Sequence, residues 1–124
     1  MKAVTPKYER ENKGHYSPGI ISGGMLYVSG QLSVDPDTGK VAEGGIEAQT
    51  LQAFKNLERV LKEGGSSFEK VVQCRVYISD MSHWDTVNRI YGEIFKAHKP
   101  ARIVVPVGEL HFGCLIEVEA VAEV

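Results

Sequence analysis

Apolar residues recur with two different periods along the chain, and the changes of period mark out its elements. From Met25 to Val34 the even positions Leu26, Val28, Leu32 and Val34 are apolar while Ser29, Gln31 and Ser33 take the odd ones, the alternation of a half-buried strand. Gly23-Gly24 supplies a tight turn from a partner strand at 17–21, and Asp35-Pro36-Asp37-Thr38-Gly39 ends the strand with turn chemistry. Between Gly45 and Glu63 the spacing becomes helical: Ile46, Thr50, Ala53, Phe54, Leu57, Val60 and Leu61 form one stripe, and Gly64-Gly65 stop it. Alternation resumes over 71–78, with Val72, Cys74, Val76 and Ile78 on one face and Gln73, Arg75 and Tyr77 on the other. Ser82 and Asp85 then resemble a capping box, and Trp84, Val87, Tyr91, Ile94 and His98 predict a second helix that ends before Pro100. From Cys114 to Val124 a last strand sets Ile116, Val118, Ala120 and Ala122 against Glu117, Glu119 and Glu123.

Two helices alternating with strands that each have one apolar face predict an α+β layer in which both helices cover the same side of the sheet. The opposite side would carry Met25, Tyr27, Val71, Tyr77, Leu115 and Val121 among Gln31, Arg75, Glu117 and Glu119. That mixture is too apolar for simple solvation and too polar for a core, which points to a subunit interface. At 124 residues, without a repeat, linker or low-complexity tract, the expectation is one domain spanning 1–124.

Charge and motif content narrow the chemistry. A formal charge of -2 argues against a nucleic-acid partner. The charged N-terminal residues and the lack of a long apolar run argue against a signal peptide or membrane span, so a cytoplasmic protein is expected. Cys74 and Cys114 read as small buried thiols. No phosphate-cradling loop, dinucleotide fingerprint or nucleophile elbow occurs, and His15, His83, His98 and His111 have no metal-ligand spacing with one another or with a cysteine. Metal catalysis is not expected, and His98, on an apolar stripe, reads as structural.

Arg102 interrupts the apolar run Pro100 to Pro106, where burying a guanidinium demands an anionic partner. Two readings stay open: a structural ion pair with Glu117, or a fork held ready for a substrate carboxylate. Glu117 is either a polar residue on the less buried face of its strand or, in a partly desolvated cleft, a carboxyl whose raised pKa suits proton transfer near neutrality. Asn88 beside the second helix's apolar stripe and Tyr16 in Gly14-His15-Tyr16-Ser17-Pro18-Gly19 are further candidates.

Pro100-Ala101-Arg102, Gly108 and Ile116-Glu117-Val118-Glu119-Ala120 resemble the C-terminal signature of the RidA/YjgF family. Tyr16 to Gly19, Val28-Ser29-Gly30-Gln31, Asp35 to Gly39, Gln49 to Leu57, Val76 to Asp80 and Val87 to Tyr91 fall where that family has similar segments, so the resemblance covers nearly the whole chain. It implies a chorismate-mutase-like α+β fold, with an antiparallel-dominated mixed sheet, two helices on one face and a homotrimer with intersubunit clefts. It also implies cofactor-free hydrolysis of reactive enamines and 2-imino acids to 2-oxo acids and ammonia. By position, Arg102 would bind the substrate carboxylate and Glu117 would position water, while Tyr16, Asn88, Ser29, Gly30 and the Val104 segment would line the site. Two departures, Ile103 where a small hydroxyl residue is frequent and Val104 where some members have cysteine, bear on substrate range. The alternative is a non-catalytic trimeric module that binds small carboxylates such as 2-oxo acids.

Overall fold

The computed structural model describes residues 1–124. In chain order its elements are β1 (Lys2–Val4), β2 (Gly19–Ser22), β3 (Met25–Leu32), α1 (Gly45–Glu63), β4 (Val71–Ile78), α2 (Trp84–Phe95), β5 (Ala101–Pro106) and β6 (Ile116–Glu123). They build a six-stranded sheet in the order β1-β2-β3-β6-β4-β5. Every neighbouring pair is antiparallel except β4 and β5, whose parallel pairing is bridged by α2, since a parallel pair needs a crossover long enough for a helix.

Both helices lie on one side of the sheet, as expected. The stripe of α1 buries Ala53, Phe54, Leu57, Val60 and Leu61 against Leu26 and Val28 of β3 and Val118, Ala120 and Ala122 of β6. Phe54 meets Tyr91 and Phe95 of α2 edge-on, with ring centroids 5.8 and 6.2 Å apart, the geometry that ring quadrupoles favour. The end of α1 follows from its glycines: Gly65 takes φ 80°, its N–H bonds the Lys62 carbonyl, and the Ser66 N–H bonds the Leu61 carbonyl. This paired closure satisfies carbonyls the helix leaves open. At the start of α2 the cap is not the expected Ser82. Asp80 accepts from the Ser82 N–H at 2.8 Å across a single 3-10 turn, Met81–His83. His98 lies past the end of α2, and its ring nitrogen bonds the Val71 carbonyl at 2.7 Å.

Two β-bulges overturn part of the alternation read from sequence. In β4 the register slips between Val71 and Gln73, so Val71 enters the core (1% exposed) and Val72 turns outward (45% exposed), the reverse of the expected faces. In β3 a slip between Val28 and Gln31 sends Ser33 inside while Leu32 and Val34 become half-buried. One extra residue inverts the parity of everything beyond it. As the chain leaves the sheet there, α1 supplies replacement partners. Asn56 Nδ2 donates to the carbonyls of Leu32 and Val34 at 2.9 and 2.7 Å. Gln49 Oε1 accepts from Ser33 Oγ and the Leu115 N–H at 2.7 and 2.8 Å.

The side of the sheet away from the helices is mixed. Tyr27 and Val72 are exposed beside half-buried Tyr77 and Val121. Glu119 Oε1 there accepts from Tyr77 at 2.9 Å and from Arg75 at 3.3 Å. No helix is long and apolar enough to cross a membrane.

Candidate active site

The candidate residues divide into two groups on opposite sides of the sheet. Glu117 on β6 pairs with Tyr77 of β4 and Leu32 of β3, and its side chain faces away from the helices into a cleft of about 930 Å³. Tyr16, Ser29 and Gly30 line the same cleft. Arg102 on β5 pairs with the buried Cys74 and faces the helices. There it shares a smaller depression, of about 440 Å³, with Asn88. Paired residues on neighbouring strands point to the same side, and Glu117 and Cys74 project from opposite sides. Within one subunit Arg102 and Glu117 therefore do not meet. Val104 lines neither space; it packs against the core cluster on the same face of β5 as Arg102.

Of the two readings of Arg102, the ion pair with Glu117 is absent, and so is the burial that the sequence implied. Arg102 is exposed on the sheet's edge strand and forms no salt bridge. The guanidinium is nevertheless held. Nη1 donates to Asn88 Oδ1 at 2.8 Å, and its central carbon lies 4.8 Å from the ring centre of Tyr91 and 5.7 Å from that of Trp84. Trp84, Asn88 and Tyr91 are spaced along one face of α2, so the helix offers a neutral acceptor and two π faces, which fix a cation without neutralising it. Beneath the arginine the Tyr91 hydroxyl is buried without a hydrogen-bond partner. Burial pushes the neighbouring Cys74 thiol up to about 12, so that thiol is not a nucleophile.

In the larger cleft Glu117 lies over Gly30. A Cβ at position 30 would overlap the carboxylate Oε1 and stand 3.1 Å from Cδ, so glycine is what lets the carboxylate occupy this place. Burial raises the Glu117 pKa above its ordinary value of 4.5, Glu119 raises it further, and His111 opposes both. Ser29 Oγ donates to the Ser17 carbonyl at 2.7 Å, and the Ser29 N–H bonds the Pro18 carbonyl at 2.9 Å; together these bonds dock the segment carrying Tyr16 onto β3. Arg59 holds the strap before it. It pairs with Asp37 at 2.9 Å, donates to the Lys7 carbonyl and stacks over Tyr8 at 4.7 Å. No three His, Cys, Asp or Glu side chains gather as a metal ion would require.

Sequence reading missed the roles of Trp84 and Tyr91 around Arg102, although their helical spacing with Asn88 was visible. Nor does spacing alone show that His111 and Phe112 join Glu117 in the cleft wall.

A mixed sheet with two helices on one face, bearing an unpaired arginine on an edge strand and a half-buried glutamate over a glycine, is an arrangement that comparison with known proteins places in a family. The family model described as Endoribonuclease L-PSP matches residues 8–124. A human protein named 2-iminobutanoate/2-iminopropanoate deaminase is 39% identical over 109 residues, covering 88% of this chain and 80% of that protein. Among solved structures, the Escherichia coli YjgF gene product superposes with a TM-score of 0.89 at 31% identity, covering 99% of this chain and 98% of that one. RidA from the Antarctic bacterium Psychrobacter gives 0.88 at 30%, covering 97% and 98%. The chain belongs to the RidA/YjgF family.

Proposed function

We propose that this protein hydrolyses reactive enamines and 2-imino acids to 2-oxo acids and ammonia in the cytoplasm. It would do so as a homotrimer whose sites form where the Arg102 side of one copy meets the Glu117 cleft of the next. The observation that carries this reading is the state of Arg102, a guanidinium held by Asn88, Tyr91 and Trp84 with no acid beside it. An unneutralised planar fork of this kind matches a small carboxylate. The deaminase name of the human relative supports the choice of substrate class.

In the composite site Arg102, with Asn88 and the backbone of the Val104 segment, orients the substrate carboxylate, while Tyr16, Ser29 and Gly30 line the other wall. Glu117, desolvated enough to hold its pKa above the ordinary range, takes a proton from a water as the oxygen adds to C2. It returns a proton to the nitrogen, and the C–N bond of the resulting carbinolamine breaks to give ketone and ammonia. Imines already hydrolyse in water, so orientation and one acid/base group, worth roughly a hundred- to ten-thousand-fold, are enough.

The test generates 2-imino acids with an amino-acid oxidase in the presence of semicarbazide and measures how far the protein suppresses trapping. Wild type suppresses it; Arg102→Ala and Glu117→Gln do not. Co-refolding the two inactive variants restores about a quarter of the wild-type rate, because a random closed ring pairs one intact Arg102 side with one intact Glu117 cleft in that share of its interfaces. If the mixture stays dead while wild type is active, the site is not shared between copies. If Glu117→Gln binds 2-oxo acids and wild type hydrolyses no imine, the protein is a carboxylate-binding module.

A further inference from the structure

The cleft around Glu117, at about 930 Å³, is near the upper end of the roughly 300–1,000 Å³ usual for small-molecule pockets, far more than a three-carbon imino acid fills. One part of its wall is held in a backbone conformation that costs free energy. Between β5 and β6 a single 3-10 turn, His111–Gly113, puts Phe112 at φ 60° and ψ 16°, left-handed backbone that costs an L-residue free energy and that glycine or asparagine adopts more readily. Phenylalanine there is not compensated by burial, because the residue is 65% exposed. Its ring lies against the imidazole of His111, with centroids 3.7 Å apart. Within a single copy this strained backbone presents an aromatic ring to solvent in the cleft that holds Glu117, and strain of this kind collects at ligand-binding positions.

Elsewhere the wall mixes charged and polar groups at Arg10, Glu11, Asn12, Lys13 and Asp35 with Tyr16, Leu32 and Val34, and the most exposed aromatic ring on it is that of Phe112. We propose that the His111–Phe112 turn is the subsite for the substrate's side chain, and that the protein prefers 2-imino acids with a large apolar or aromatic side chain, and the matching 2-oxo acids, over three-carbon ones. The proposal rests on the imine-hydrolase reading for its substrate class: with the carboxylate on Arg102 and C2 at Glu117, the side chain is the one substituent still to be recognised. Stacking and edge contacts between aromatic rings supply that recognition.

The experiment compares kcat/KM for the imines of phenylalanine and alanine, made in situ by an amino-acid oxidase and followed by semicarbazide trapping, in wild type, Phe112→Asn and Phe112→Tyr. Asparagine tolerates the left-handed backbone, so the ring is removed without new strain. Wild type favours the phenylalanine imine. Phe112→Asn lowers that preference about tenfold, the scale of a lost contact in an apolar pocket, and Phe112→Tyr retains it. Preference for the alanine imine in wild type, or an unchanged ratio in Phe112→Asn, overturns the proposal. Calorimetric titration with phenylpyruvate and pyruvate reads the same subsite without turnover. Tighter phenylpyruvate binding that is lost in Phe112→Asn supports the subsite even where no imine is hydrolysed, an outcome that removes only the hydrolase reading. Equal affinity for the two acids, or binding of neither, removes the subsite itself.

Discussion

Replacing Gly30 by alanine isolates the placement of one carboxylate. The φ of Gly30 is not in the left-handed region, so alanine fits the backbone, but its Cβ overlaps Glu117 Oε1 and stands 3.1 and 3.5 Å from Cδ and Cγ. Restoring ordinary contacts of about 3.5 Å pushes the carboxylate back by something like an ångström. A displacement of about 1 Å costs on the order of a hundredfold in rate, equivalent to about 2.7 kcal/mol of transition-state stabilisation. The fold should hardly notice, since alanine in a strand gains back roughly 0.5–1 kcal/mol relative to glycine. Initial rates in the semicarbazide assay should thus fall about a hundredfold while the thermal midpoint and the affinity for a 2-oxo acid, which the proposed site anchors at Arg102, change little. Activity near wild type at an unchanged midpoint would refute the reasoning, because the carboxylate would then not need its place over Gly30. A large drop in the midpoint would show instead that Gly30 serves packing.

Glu117 itself should trade stability for chemistry. Because its pKa is raised by burial and by Glu119, the folded chain binds this proton more tightly than the unfolded chain. Stability is therefore lost as pH rises from the ordinary carboxyl value through the raised one. Glu117→Gln avoids that cost: its melting temperature should exceed the wild type's at about pH 7, with the gap narrowing towards about pH 4, and a gap independent of pH would contradict it. Phe54, 1% exposed and edge-on to Tyr91 and Phe95, joins α1 to α2, so Phe54→Ala should cost about 3–5 kcal/mol by urea unfolding. A loss of only about 0.5 kcal/mol, typical of an exposed site, would mean that the helix pair closes up around the gap.

Much of the architecture was legible because each helix and the longer strands keep their period within themselves. The α1 stripe from Ile46 to Leu61 and the β6 alternation at Ile116, Val118, Ala120 and Ala122 appear in the structure as read. What alternation cannot carry is a change of phase. At Val71 and Val72 two identical apolar side chains sit in adjacent frames, and only the pairing with β6 decides which enters the core. At Ser29-Gly30 the glycine inside a strand pattern was a usable sign of a bulge, yet its consequence, Ser33 inside and Leu32 in the cleft wall, depends on Gln49 and Asn56 reaching across from α1. The candidate site was readable as a list of side chains but not as a geometry. Arg102 and Glu117 belong to strands separated by β4, and which side of the sheet each faces is set by non-local register. The hold of Trp84, Asn88 and Tyr91 on Arg102 was visible as spacing; its meaning waited on the pairing of β5 with β4.

A sheet with Arg102 on one side and Glu117 on the other is also a partition between two evolutionary accounts. Within one copy no side-chain hydrogen bond or ion pair joins the two groups, so changes around the arginine's aromatic cradle and changes around the His111–Phe112 turn should sum independently in their effect on the folding of that copy, within about 0.3–0.5 kcal/mol. On the proposed reading, carboxylate anchoring and side-chain choice can then drift separately, one surface keeping hold of what all the substrates share while the other is free to explore what distinguishes them.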